Sequence, residues 1–158
     1  MTSACLFCCI IEHKRPAALV YEDKEFIVLM DKYPINSGHC LVIPRSHHES
    51  LLSMSSSEVG KLYALVCTIS KAVMSAVNAD GFNIGQNNGK AANQIIPHVH
   101  VHIIPRFRDD NREGKWPSRK IGDFEDLEKT AQKIRAILHA CADIGPHNCR
   151  NNDRLSIR

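Results

Sequence analysis

No apolar run in this 158-residue chain approaches the ~20 residues that a membrane-spanning helix needs, so no membrane partner is expected. The first residues, Met1 to Pro16, lack a charged n-region and a long apolar stretch, and no secretory leader is expected. Internal repeats and low-complexity blocks are absent. Cysteine occurs seven times, an odd number without the regular spacing of a disulfide framework. A reducing, cytoplasmic setting is the expectation, and there cysteine pairs signal metal or redox chemistry. The formal net charge is only +3, with the basic residues spread out and mildly concentrated at 106–120. That leaves room for an anionic ligand and makes no case for nucleic acid. What is present is a globular share of hydrophobic residues, 44%, in a chain long enough to bury a core. The expected organisation is a single domain over residues 1–142, followed by a polar, loosely ordered tail over 143–158.

Leu19–Glu22 and Phe26–Met30 are short apolar runs around the charged turn Asp23-Lys24-Glu25, a hairpin pattern. Pro34, Asn36, Ser37 and Gly38 mark a loop, and His39–Pro44 reads as a third strand ended by its proline. Ser55 and Glu58 form a capping-box pattern ahead of a helical repeat through Leu62, Val66, Ile69 and Val73, ending near Asn78. Phe82–Gln86 reads as a fourth strand, Asn87-Asn88-Gly89 as a turn, and His98–Ile104 as a fifth strand closed by Pro105. The polar stretch 106–120, with Gly114 and Pro117, is expected to be a loop. Asp123 can cap a last helix with Phe124, Leu127, Ile134, Ile137 and Leu138 on one side. This order of elements predicts an α+β fold with a mainly antiparallel sheet.

The strongest chemical signal is His98-Val99-His100-Val101-His102-Ile103-Ile104. On a strand the three histidines share one face, about 6.6 Å apart, and the valines and Ile103 share the other. Three readings are open: a solvated sheet face, a metal site, or phosphoryl chemistry. In the last, a neutral imidazole attacks phosphorus and its neighbours donate hydrogen bonds to the phosphate oxygens and the leaving group. Cys5-x-x-Cys8 is by spacing half of a zinc site, with His47, His48 and His98 as candidate partners.

The triple alternation resembles the signature of the histidine triad (HIT) family. So do Cys5-Leu-Phe-Cys8, Val20–Asp23, Asp31–Pro34, Gly38–Pro44, Gln86–Gly89 and His102–Arg106 with Trp116 downstream, in the same order. The resemblance implies a five-stranded antiparallel sheet with two helices, paired as a homodimer into a ten-stranded sheet. It implies His100 as the nucleophile, His102 at the phosphate or leaving group, His39 supporting the imidazoles, and His98 as the first triad member. Asp31 would bind the ribose hydroxyls. Leu6, Phe7 and Ile10 would line the base pocket, and Asn87, Asn93 and Gln94 the loop beside ribose and phosphate. A zinc-binding branch of the family implies a structural ion on Cys5, Cys8, His47 and His98, with no metal required for catalysis.

The expected activity is hydrolysis of nucleoside 5′-phosphoramidates or related AMP or GMP conjugates through a nucleotidyl-histidine intermediate. The alternatives are a dinucleoside polyphosphate hydrolase, a nucleotidyl transferase, a zinc-bearing nucleotide-binding module with little turnover, and a metallohydrolase using the triad with Asp109 or Asp110. Two residues depart from the family pattern. Asn93 stands where glycine is usual, and Ile95 where a serine or threonine hydroxyl is usual. Isoleucine cannot donate a hydrogen bond and is expected to narrow the site, so Ile95→Ser is expected to raise kcat for poor leaving groups.

Overall fold

The computed structural model describes residues 5–110 and 118–144, with side chains to 140. Trp116, Gly114, Pro117 and most of the predicted polar tail lie outside the described residues. In chain order the elements are α1 (Leu6–Ile11), β1 (Leu19–Glu22), β2 (Phe26–Met30), β3 (Cys40–Pro44), α2 (Ser56–Val77), β4 (Gly81–Gly85), β5 (Val101–Arg106) and α3 (Phe124–Ile144). Short 3-10 turns occupy Leu51–Ser53 and Lys90–Ala92.

The hairpin β1–β2 forms because Asp23 folds back on its own turn. Its Oδ1 accepts from the backbone N–H groups of Glu25 and Phe26 at 2.8 and 2.7 Å. The strands make one antiparallel sheet in the order β1-β2-β3-β5-β4. Every residue of β2 and β3 is buried, so both faces of the sheet centre are covered. Phe26, Val28 and Met30 point toward α2 and α3, where they meet Leu62, Val66, Ile69, Val73, Ala131 and Ile134. Ile27 and Leu29 point the other way, onto Phe7 and Ile10 of α1. The helices therefore seal one face, and the thin α1 layer leaves the other available near β5.

α2 begins at the capping box anticipated in the sequence. Ser55 Oγ accepts from Glu58 N, and Glu58 Oε2 accepts from Ser55 N at 2.7 Å. It ends on Asn78 in the left-handed region, φ 51°. At 22 residues α2 is long and apolar enough to cross a bilayer, contrary to the reading that no stretch qualifies. Leu62, Val66 and Ile69 are fully buried against the sheet, which makes α2 the core helix. Asp123 caps α3 through the N–H groups of Glu125 and Asp126. Phe124, expected on the core side, is instead 54% exposed, because the core stripe of α3 starts one turn later at Leu127.

Gly38 is constrained twice over. Its φ is +89°, and a Cβ there would lie 3.0 Å from Val77 Cγ1 and 3.1 Å from Pro105 Cγ. The loop entering β3 thus packs directly on the end of α2.

The fifth strand differs from its sequence reading at both ends. It starts at Val101, not His98, and runs through Pro105 to Arg106. The β3–β5 ladder stops at Val42–Val101 because other partners claim the backbone beyond it. Val99 N donates to the His48 carbonyl at 2.6 Å, and the Pro44 carbonyl accepts from a His98 ring nitrogen at 2.8 Å. Pro105 fits inside the strand because its carbonyl turns away from β4 to accept from Asn36 Nδ2. Its missing N–H therefore faces that same side and costs β4 no ladder bond. Asn87 and Asn88 have no regular structure and Gly89, at φ 83°, bends into the Lys90–Ala92 turn, so the tight turn predicted at Asn87–Gly89 lies three residues later.

Candidate active site

The three histidines of the alternating stretch divide into two groups. His100 and His102 stay together, with ring centroids 5.1 Å apart, while His98 turns toward the N-terminal cysteines. Backbone groups settle which nitrogen of each ring carries its proton.

His39 Nδ1 accepts from Ile35 N–H at 3.1 Å, so the His39 proton sits on Nε2. That nitrogen lies 2.9 Å from His102 Nδ1 and donates to it. The His102 proton is therefore on Nε2, where it can serve as a donor to a ligand. His100 Nδ1 donates to its neighbour's carbonyl, His98 O, at 2.6 Å, which leaves the Nε2 lone pair of His100 unprotonated. His98 Nε2 donates to Pro44 O, which leaves its Nδ1 as a free ligand atom. These fixed tautomers leave an unprotonated Nε2 on His100, an N–H donor on His102 and an unprotonated Nδ1 on His98.

Burial keeps these rings neutral. It presses His39 down to about 3 and His102 to about 4, helped by the neighbouring imidazoles and the Arg119 charge. His100 and His98 are likewise held below the ordinary histidine value, chiefly by burial. Phe7, 3% exposed, stands edge-on to both His98 and His100, with centroids at 5.8 and 5.1 Å. It walls the imidazoles from water. Ile10 packs in the same cluster and also borders an open cleft of about 320 Å3 with His13, Arg15, Ala17 and Leu19. Leu6 is 39% exposed on the outer side of α1.

Asp31 is buried beside the imidazoles, with Oδ2 3.4 Å from His39 Nε2 and 3.6 Å from His102 Nδ1. Its Oδ1 accepts from Tyr33 N at 2.8 Å, and its Oδ2 from Arg119 Nη2 at 2.7 Å. Burial pushes its carboxyl up, against the pull of the Tyr33 N–H and Arg119. Asp31, His39 and His102 have the mutual spacing of metal ligands. The His39 proton points into that cluster, however, and Arg119 already supplies a positive charge there.

The loop residues are brought near one another rather than onto the imidazoles. Gln94 ties two loops together, accepting from Gly89 N at 2.6 Å and donating to Glu49 O at 2.7 Å. Asn87 Nδ2 donates to Asn93 O at 3.3 Å. Asn93 has φ 62°, a conformation open to glycine and, among other residues, most readily to asparagine, which accounts for the replacement. Ile95 is 86% exposed. Its side chain points to solvent and does not narrow the site, contrary to expectation. Asp110 is taken up by Arg106, Asn36 and Phe107 N, and these hold its carboxyl near 2, so it forms a loop brace.

Cys5, Cys8, His47 and His98 converge. His98 Nδ1 lies 3.5 Å from Cys5 Sγ, 3.7 Å from Cys8 Sγ and 3.2 Å from His47 Nδ1, and Cys8 Sγ lies 3.3 Å from His47 Nδ1. Ligands on one tetrahedral zinc ion stand about 3.4–3.7 Å apart, so the donor set fits zinc. Burial and the facing Cys5 thiol push Cys8 up to about 11, so on its own the quartet favours the neutral thiol, and a bound divalent ion would favour the thiolate. His48, the other candidate, faces Glu58 instead, at 3.4 Å.

Sequence reasoning missed Arg119. It lies in a stretch read as loop, 88 residues from its carboxylate partner, and nothing in its local pattern marks it.

Comparison with known proteins agrees with this geometry. Residues 12–109 match the HIT domain. An adenylylsulfatase of Arabidopsis thaliana is 36% identical over 141 residues, covering 87% of this chain and 70% of the relative. An adenosine 5′-monophosphoramidase of Schizosaccharomyces pombe is 32% identical over 132 residues, covering 83% and 96%. The crystal structure of a zinc-bound histidine triad family protein from Mycobacterium smegmatis superposes with a TM-score of 0.79 at 34% identity, over 90% of this chain and 98% of that one. With its sheet order, its imidazole cluster and this match over most of its length, the chain belongs to the HIT domain family.

Proposed function

We propose that the protein hydrolyses nucleoside 5′-phosphoramidates or related purine nucleotide conjugates, with His100 Nε2 as the nucleophile. The observation that carries this reading is the 2.6 Å bond from His100 Nδ1 to the His98 carbonyl, which directs a neutral lone pair away from the backbone. In the first step Nε2 forms a bond to the α-phosphorus and the bond to the leaving group breaks. In the second, water forms a bond to phosphorus and the Nε2–P bond breaks, releasing the nucleotide. His102 Nε2–H donates to a phosphoryl oxygen, and His39 keeps that proton in place. The hydrolase names of the Arabidopsis and S. pombe relatives support an adenylyl conjugate as substrate. In this reading Leu6, Phe7 and Ile10 border the base, and Asp31 marks the ribose end.

A zinc ion on Cys5, Cys8, His47 and His98 would be four-coordinate and closed, and so structural. When bound it supplies a cross-link between α1, the segment after β3 and the approach to β5. The protein also acts as a homodimer in this reading. β4 is an edge strand, and Phe82 and Ile84 on it are each 43% exposed, which pairing with a second copy would cover.

The test is His100→Ala assayed on adenosine 5′-phosphoramidate. Turnover falls to background while AMP still binds, because the base and ribose contacts lie elsewhere. Full activity in the variant removes His100 as nucleophile.

A further inference from the structure

His39 Nε2 and His102 Nδ1 stand 2.9 Å apart and share one proton between them. Which ring owns it decides the state of the far nitrogen of His102. With the proton on His39, His102 carries its own on Nε2 and can donate to a ligand. With the proton on His102 Nδ1, Nε2 is bare and meets a phosphoryl oxygen lone pair to lone pair. Asp31 does not make this choice, because its Oδ2 lies 3.4 Å from the first nitrogen and 3.6 Å from the second. The choice falls on the other side of the His39 ring, where Ile35 N–H donates to Nδ1 at 3.1 Å. A proton on that Nδ1 would set donor against donor.

A bond of this length from a loop N–H holds only as well as the loop does, and residues 31–39 belong to no helix or strand. Asn36 fastens them. Its carbonyl accepts from His39 N at 3.1 Å, and its Nδ2 donates to Pro105 O at 2.8 Å and to Asp110 Oδ2 at 2.5 Å. Both side-chain partners are acceptors only, which fixes the direction of the amide and uses both of its N–H groups. Both are also tied to β5. Pro105 lies on the same strand as His102, and Asp110 is gripped by Arg106 Nη2 at 2.8 Å and by Phe107 N at 2.9 Å. One side chain thus joins the loop that supplies the Ile35 N–H to the strand that carries His102.

We propose that Asn36 is a positioning residue: by clamping its loop to β5 it keeps the Ile35 N–H on His39, and so keeps a proton on His102 Nε2 for the phosphoryl group of the substrate. The role at the phosphoryl group rests on the nucleotide-hydrolase reading above, whereas the place of the proton does not.

The experiment compares the full-length protein with Asn36→Ala and with Asn36→Leu, which keeps the shape of asparagine without its donors. Long-range proton–nitrogen correlation spectra near neutral pH report the tautomer of each ring, and adenosine 5′-phosphoramidate reports turnover. In the unsubstituted protein His39 and His102 should both carry the proton on Nε2, with a scalar coupling across the bond from Ile35 N to His39 Nδ1. In the variants that coupling should vanish and His102 should shift toward the Nδ1–H form. Their kcat should fall about tenfold or more while the Kd for AMP stays within about threefold, since a donor is lost and the other contacts remain. A proton on His102 Nδ1 in the unsubstituted protein overturns the proposal before any substitution is made. A folded variant that retains the Nε2–H form in full also overturns it, whatever its rate, as does a changed tautomer with an unchanged rate. Failure of both variants to fold counts against it as well, by making the clamp a folding element. No turnover by the unsubstituted protein overturns the hydrolase reading and the role at the phosphoryl group with it, and the spectra still decide where the proton sits.

Discussion

Lowering the pH should unfold this protein through His39 more than through its exposed histidines. His39 is 1% exposed and its ring is neutral, held down to about 3 against an ordinary 6.5. Between those two values the unfolded chain binds a proton at this position and the folded chain does not. Stability therefore rises with pH across that window and is lost as pH falls through 6.5. The His39 share of the loss is about 2 kcal/mol on going from pH 8 to pH 5, and it tends toward about 5 kcal/mol below pH 3. Asp31 works in the opposite direction just above the ordinary carboxylate range, since burial raises its carboxyl and folding then favours its proton. The assay is urea unfolding at pH 8, 7, 6 and 5 for the unsubstituted protein and for His39→Gln. Glutamine does not titrate, and both proteins carry the same cysteine–histidine quartet, so metal release cancels in the difference. The unsubstituted protein should lose about 2 kcal/mol more than the variant by pH 5. Parallel pH dependences would refute the claim that His39 is buried in its neutral form.

Purified protein should contain about one zinc per chain by elemental analysis. Chelation should lower Tm more than it lowers the single-turnover rate, and a folded, chelated protein that is inactive until metal returns would make the ion catalytic. Ile95→Ser should change kcat on phosphoramidates by less than about threefold, because the side chain faces solvent; a rise of 10²-fold or more would restore the hydroxyl argument. Light scattering at micromolar concentration should give twice the chain mass, and Phe82→Asp should shift it toward a single chain.

Several elements were legible in the sequence because local rules decide them. Ser55 and Glu58 announce α2, and the Asp23 turn between two short apolar runs announces the β1–β2 hairpin. The alternating imidazoles were also legible from residue type, whereas the choice of His47 over His48 to complete the cysteine–histidine quartet came from the family resemblance. What was not legible depends on distant backbone. Alternation alone extends β5 back to His98, but carbonyls at His48 and Pro44 take over that segment from outside the ladder. The tautomers rest on the Ile35 N–H and the His98 carbonyl, which no residue type encodes. Ile95 could be identified as a departure from its family, but the direction of its side chain follows from the conformation of the preceding loop.

The loop from Gln86 to Ile96 is tied mostly to itself and to the turn at Glu49–Leu51, through Asn88 and Gln94. It hangs beside the sheet without contributing a rung to it. The imidazoles, by contrast, are anchored on the Ile35 N–H and on the His98 and Pro44 carbonyls, outside this loop. Insertions, deletions and substitutions here can accumulate over generations without unzipping a strand or rotating an imidazole. Under the proposed function, selection could revise this loop while the imidazole cluster is inherited unchanged. Divergence among relatives should concentrate in this loop far more than in the segment from His98 to His102.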